Sequence, residues 1–160
     1  MMRAWRAMTS LLVLVVAGCA STPQAFPGQD ALAKRFQTNP DAATVYIYRP
    51  GEHPDESVGD VSSVLYVDQR LIGQTMAGRY FLVSLQPGTH VLAGITTDAG
   101  RMKLEVRAGQ LYFVRLRVHD GSSLFTPVSV ESGKRELSEC CVLFENFKPG
   151  DESLVPGVKL

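Results

Sequence analysis

RMKLEVRAGQLYFVRLRVH, residues Arg101 to His119, alternates apolar and charged side chains twice, with a short small-residue interruption between the two runs. Successive side chains of a strand point to opposite faces, so Met102, Leu104 and Val106 share one face of the first run. Tyr112, Val114, Leu116 and Val118 share one face of the second. Both sets meet one core only across a connection of odd length. This predicts a hairpin whose three-residue loop is Ala108-Gly109-Gln110, with Gly109 in the left-handed region. The opposite face of that hairpin then carries Arg101, Lys103, Arg107, Arg115, Arg117 and His119, relieved by Glu105. Like charges facing one another across strands are unfavourable. Such a face either stays solvated or meets an anionic surface, which makes Arg101, Lys103, Arg115 and Arg117 the candidate partner-binding residues.

The same period of two recurs on both sides of this stretch, over Thr44–Tyr48, Val64–Asp68, Tyr80–Leu85, His90–Ile95 and Leu124–Val130. Short turn signals separate the runs. Asp68-Gln69-Arg70 lies between two apolar stretches, and Gln86-Pro87-Gly88-Thr89 places proline and glycine as a type II turn requires. The expected fold is mostly β, an antiparallel β-sandwich of about seven strands. Pro127 cannot donate a ladder hydrogen bond and assigns the last strand to an edge or a bulge. After it, Leu137, Cys141 and Phe144 recur at helical intervals, predicting a C-terminal helix from Ser132 to Phe144 that Gly133 weakens. A short N-terminal helix over Asp30–Gln37 would place Leu32 and Phe36 on one face, and at that length it must dock to persist.

The beginning of the chain has a different character. Arg3 and Arg6 precede the apolar run Leu11–Ala17 and the small pair Ala17-Gly18, the pattern of a secretory signal peptide over residues 1–18. The run is shorter than the roughly 20 apolar residues that span a bilayer. Val16-Ala17-Gly18-Cys19 resembles the lipobox of bacterial lipoproteins. That resemblance implies cleavage before Cys19, a diacylglycerol on its thiol and a further acyl chain, such as palmitate, on the new amino terminus. Two or three chains anchor a protein durably, at about 0.8 kcal/mol per buried methylene. Ala20 is not the aspartate that retains many such lipoproteins at the inner membrane, so the implied address is the outer membrane, facing the periplasm. Residues 19–41, rich in proline and polar residues, are the lipidated cysteine and its tether; residues 42–147 are the sandwich with its C-terminal helix, and 148–160 a flexible tail.

Four further motifs carry a second resemblance: Val45-Tyr46-Ile47-Tyr48-Arg49-Pro50; Tyr66-Val67-Asp68 with Ile72-Gly73; Leu85-Gln86-Pro87-Gly88-Thr89-His90; and Ala108-Gly109-Gln110-Leu111-Tyr112-Phe113-Val114. In this order they resemble a family of small bacterial lipoproteins built on a β-sandwich domain of unknown function, over roughly residues 42–141. The family implies a fold and an envelope location and no catalytic residues. Its hairpin usually has glycine after the aspartate, where this chain has Gln69.

Catalytic motifs are missing from the chain: no Gly-x-Ser-x-Gly, no phosphate-cradling glycine loop and no His-Glu-x-x-His. His53, His90 and His119 are far apart and do not combine with Cys140 or Cys141 at zinc-ligand spacing. Glu52, Asp55, Glu56 and Asp60 lack the alternating order of a calcium loop and read as a solvated segment. No metal and no cofactor is expected. Cys140-Cys141 admits a vicinal disulfide, a disulfide to another chain, or a pair of reactive thiols, which makes both candidate redox residues. The plainer reading is one thiol packed as a small apolar group and the other partly exposed. After loss of residues 1–18 the chain has 14 basic and 16 acidic residues, with no basic excess for nucleic acid. The expectation is a membrane-anchored, non-catalytic adaptor or structural module that binds an envelope protein. The alternative is a module binding an envelope glycan, lipid headgroup or small ligand; the only tryptophan, Trp5, is lost with the signal peptide.

Overall fold

The computed structural model describes residues 27–51, 63–94, 100–119 and 122–144. The signal peptide, Cys19, residues 20–26 of the tether, the acidic segment from Glu52 to Asp60 with His53, and the tail all lie outside these residues. The rest of the expected tether, 27–41, is described and carries a helix docked on the sandwich by Tyr46 and Tyr80. The described chain runs α1 (Pro27–Ala33), β1 (Ala43–Arg49), β2 (Ser63–Val67), β3 (Arg70–Thr75), β4 (Arg79–Leu85), β5 (Gly88–Gly94), β6 (Arg101–Val106), β7 (Leu111–His119), β8 (Ser122–Val128), α2 (Val130–Cys140) and β9 (Val142–Leu143). The strands form a five-stranded sheet in the order β8-β7-β1-β4-β9 and a four-stranded sheet in the order β3-β2-β5-β6. Residues of both sheets, among them Val45, Ile47, Leu65, Leu92, Val106 and Val114, bury one another in a common core, so the fold is a β-sandwich.

The Arg101–His119 stretch is not a hairpin. β6 pairs with β5, while β7 pairs with β8 and, in parallel, with β1. Ala108-Gly109-Gln110 therefore carries the chain from one sheet to the other. Gly109 has the expected positive φ of 73°, and its N–H donates to the carbonyls of Asn39 and Ala42 at 2.9 and 3.1 Å. Leu104 and Val106 do share a core with Val114, as the alternation required, but they meet it from opposite sheets. Parity in a strand specifies which side faces inward and says nothing about whether the two strands are neighbours or stacked partners. Two strand pairs, β1–β7 and β4–β9, are parallel within the otherwise antiparallel sheets.

A third layer explains why β1 is buried on both faces. Val45 and Ile47 face the core between the sheets, while Tyr46 and Tyr48, at 1% and 0% exposure, lie under the helices with Tyr80 and Phe113, packed with Leu137 of the C-terminal helix α2. α1 starts earlier than expected and ends at Ala33, which is buried; Leu32 is 57% exposed. Phe36 has left the helix with φ 53° and packs against Tyr46 with ring centroids 5.4 Å apart. α2 is likewise displaced from the expected Ser132–Phe144. Ser129 caps it, its hydroxyl accepting from the Ser132 N–H at 3.3 Å, and the chain turns extended at Cys141. Phe144 reaches the core from the extended segment after α2: its N–H donates to the Tyr80 carbonyl at 2.8 Å and its ring meets Phe81 edge-on. Pro127 lies in β8, an edge strand, as its missing N–H demands.

Asp68 and Gln69 join β2 to β3 with φ of 51° and 67°, the two left-handed positions of a type I′ hairpin. Gln69 occupies the position that glycine fills without steric cost. Gln69→Gly should raise stability by about 0.5–1 kcal/mol, the left-handed penalty of roughly 1–2 kcal/mol less the extra chain entropy glycine loses. Chemical denaturation gives the comparison, and an unchanged or lower midpoint would refute it.

Candidate functional site

The four arginine and lysine candidates separate into two places. Arg101 and Lys103 are exposed on the outer face of the four-stranded sheet, whereas Arg115 and Arg117 lie on the outer face of the five-stranded sheet, the face α2 packs on. The single basic face of a hairpin is thus replaced by two half-faces on opposite sides of the sandwich, because β6 and β7 belong to different sheets.

Arg115 is committed to the fold. Its Nε donates to Glu136 Oε2 at 3.0 Å and its terminal nitrogen to Oε1 at 2.5 Å, a forked pair that the Tyr48 hydroxyl joins by donating to Oε2 at 2.7 Å. Burial alone would raise the Glu136 pKa; Arg115 and Tyr48 more than offset it and hold the carboxyl below its ordinary value. Two similar bolts fasten α1. The Tyr46 hydroxyl donates to the Ala33 carbonyl at 2.7 Å, and the Tyr80 hydroxyl donates to Asp30 Oδ1 at 2.9 Å. The same carboxylate oxygen accepts the Leu143 N–H at 2.7 Å, and Lys34 lies 3.0 Å from its partner oxygen. Asp30 is lowered despite its burial by the Leu143 N–H, Lys34 and Tyr80, and burial pushes Tyr46 and Tyr48 up to about 12. These tyrosines read in the sequence as the outward side of a strand; their alternation with Val45 and Ile47 was visible, but nothing local told that helices would cover them.

Among the described residues, no helix covers the outer face of the four-stranded sheet. The two helices pack on β7 and β9, in the other sheet. Register places Leu71 opposite Tyr66, Tyr66 opposite Ala93 and Ala93 opposite Arg101, one row across all four strands. The middle of that row is small, so Tyr66 and Arg101 stand as the walls of an open trough of about 630 Å³, with Val91 and Gly94 on its floor and Asp68 and Gln69 at its rim. Lys103, opposite Val91 in register, extends the positive side.

Asp68 also reaches a residue on the inward side of β5: His90 Nδ1 lies 2.5 Å from Asp68 Oδ2 and Nε2 lies 2.7 Å from the Gln86 carbonyl oxygen. Asp68 also accepts the Val91 N–H through Oδ1 at 2.8 Å and donates its own N–H to the Val91 carbonyl at 2.9 Å. Burial works against a charged His90, and Asp68 and Gln86 more than offset it, so its pKa is raised; His90 and the Val91 N–H lower that of Asp68. Spacing in the sequence separates these residues by 22 positions, and only the hairpin and the crossing between sheets bring them together.

Cys140 and Cys141 are bonded to each other, the vicinal disulfide among the readings of this pair. Cys141 is buried, its sulfur 3.5 Å from the Arg49 carbonyl oxygen, and Cys140 is half-buried. His119 ends β7, opposite Ser122. Among the described residues there is no group of three or more His, Cys, Asp or Glu side chains placed to hold a metal ion, and no helix long and apolar enough to cross a membrane.

The fold and the open trough define a three-layer β-sandwich in which, among the described residues, helices cover one sheet and not the other. Residues 39–133 match the family described as "Protein of unknown function (DUF2846)", and the chain belongs to that family. No curated protein and no solved structure matches the chain.

Proposed function

We propose that the chain is a lipoprotein anchored through Cys19 to the periplasmic face of the outer membrane, and that its sandwich is a non-catalytic adaptor for an envelope protein. The observation that carries the adaptor reading is the asymmetry of the two outer faces: one lies under α1 and α2, and the other presents Tyr66, Val91 and Ala93 beside the exposed cations Arg101 and Lys103. An apolar stripe edged by positive charge fits an acidic protein surface, with the charges governing encounter and the stripe residence. Arg115, being tied to Glu136, has no part in it.

Reversing both charges, Arg101→Glu with Lys103→Glu, should leave the fold within about 0.5 kcal/mol, since both side chains are exposed. The full lipidated chain, crosslinked in cells and affinity-captured, should yield an acidic envelope protein that dissociates with salt, and the double variant should lose it. Capture of the same protein by the double variant at low salt would refute the proposed face. A second reading, a sugar or headgroup bearing a carboxylate or phosphate, is favoured by the placement of Tyr66 and Arg101 across the small Ala93, a ring and a guanidinium on either side of a narrow floor. Co-purifying glycan or lipid in place of a protein would select it.

The anchor is supported by the resemblance of Val16-Ala17-Gly18-Cys19 to a lipobox closing a signal peptide. Cys19→Ala should abolish incorporation of a clickable fatty acid into the protein and leave the precursor uncleaved before residue 19. Equal labelling of variant and wild type would overturn it.

A further inference from the structure

Two acceptors meet one ring beside the β2–β3 turn. Asp68 Oδ2 faces His90 Nδ1 at 2.5 Å, and the Gln86 carbonyl oxygen faces Nε2 at 2.7 Å. A carboxylate and a peptide carbonyl supply no proton, and a neutral imidazole carries a single N–H. Both contacts are hydrogen bonds only when the ring is imidazolium. We propose that His90 is a proton-operated clasp, which in its charged form ties the β2–β3 turn to the Gln86 crossing between the sheets and in its neutral form lets that crossing go.

Which link yields follows from the chemistry of the two acceptors. The bond to the carboxylate is the stronger, so the neutral ring keeps its proton on Nδ1 for Asp68 and turns a lone pair toward the Gln86 oxygen. Asp68 itself stays in place, because its Oδ1 and its backbone N–H are held by Val91 independently of the ring. Gln86 lies on the connection between β4 and β5, so the proton governs an attachment between parts of two different sheets. Asp68 is shared between the two faces: it borders the trough and also holds the His90 ring.

Among the described residues, the charges around the ring are few. Arg70 and Asp68 lie on the hairpin; on β6, Leu104 is opposite His90, and Lys103 and Glu105 on either side of it project from the other face of the sheet. Ser84, Leu85, Gln86 and Pro87, at the end of β4 and in the crossing, carry none. Asp68 is therefore the charge bonded to the ring, in keeping with a His90 pKa raised above the ordinary 6.5 and an Asp68 pKa lowered from 3.8. A raised histidine pKa places the full contribution below pH 6.5 and removes it as pH rises through the raised value. The lowered carboxyl places its contribution above 3.8 and removes it as pH falls through the lowered value, so the clasp is closed between the two. It is a property of the fold and stands whether or not the trough binds the partner proposed above.

The test uses the full chain, nitrogen-15 labelled, in detergent micelles. It has three histidines, so the imidazole signals are assigned by the loss of one set in His90→Gln. His90 should carry protons on both nitrogens at pH 6.5 and titrate above that value. In Asp68→Asn, which keeps an acceptor for Val91 and tolerates the left-handed backbone, its pKa should fall. Exchange of the amides from Gly88 to His90, referred to intrinsic rates, should quicken about tenfold across the titration in wild type and show no such step in His90→Gln. A His90 that titrates at or below 6.5, a titration unmoved by Asp68→Asn, or exchange that ignores the titration would each overturn the clasp.

Discussion

Gly133→Ala destabilises the domain by about 1–2 kcal/mol, although alanine is the better helix former. Gly133 lies in α2 directly over Phe113, and a methyl group there would come within 2.3 Å of the ring carbon Cγ and 2.5 Å of Cβ. Those atoms are the root of the side chain and cannot swing aside. The ring is held between Tyr46, stacked at a centroid distance of 4.9 Å, and Phe36 at 5.8 Å. Helix propensity favours alanine by about 1 kcal/mol. Overpacking a well-filled site costs typically about 1–3 kcal/mol and at times more, and here either α2 lifts from the sheet or Phe113 is displaced from two rings at once. The second effect wins. Thermal and chemical denaturation of wild type and variant measure the difference, and a variant more stable than wild type would show that α2 does not lie this close to β7.

Glu136→Ala costs more, about 2–4 kcal/mol. The substitution leaves the Tyr48 hydroxyl, on a side chain with 0% exposure, and the Arg115 guanidinium without the carboxylate that both use. An orphaned buried donor costs about 1–3 kcal/mol, and breaking a buried pair from one side about 3–5. The side chains of Arg115 and Glu136 retain 25% and 26% exposure, so water recovers part of the second figure. Tyr48→Phe combined with Glu136→Ala should cost less than the two single changes together, because the hydroxyl that was orphaned is gone. Additive effects would mean that the three groups do not act as a unit. The same carboxyl predicts an acid response. Glu136 and Asp30 both have lowered pKa values, so each contributes stability that is present above the ordinary carboxyl values of 4.5 and 3.8 and is lost as pH falls through the lowered ones. Both hold a helix to the five-stranded sheet, and α1 and α2 should be the elements released there.

The strands were legible wherever one face meets the core and the other meets water. Arg101–Val106 and Leu111–His119 fall within a residue of the alternation in the sequence, and the turn at Asp68-Gln69 was marked by its residue types. β3 and β9 were not read as strands. β3 breaks its alternation with a bulge opposite Leu65 and Tyr66, and β9 is two residues long and exists only because β4 offers it an edge. The C-terminal helix was placed too late because Cys141 and Phe144 are both buried at helical spacing; they are buried from an extended segment, against Arg49 and Phe81. Gly133 read as a weakness in that helix and is where the helix packs directly on Phe113, with no room for a side chain.

The candidate site followed the same division. The positive residues were visible one by one, and their grouping depended on the pairing of β6, which sends Arg101 and Lys103 to one side of the molecule and leaves Arg115 and Arg117 on the other. The cluster of Asp68, His90 and Gln86 had no sequence signal as a unit, since its members come from a turn, a strand and a crossing. Local chemistry, in this chain, determined most of the extended segments and the inward face of each strand it marked, because those depend on side-chain alternation within a few residues, whereas the positive φ of Phe36 fell inside a stretch that reads as helix. Tertiary structure alone decided which strands are neighbours and which are stacked across the core, and which polar faces are covered by helices. Those choices are made by contacts between residues far apart in the chain, and the inward-facing pattern of β6 and β7 is satisfied equally well by a hairpin and by a crossing between two sheets.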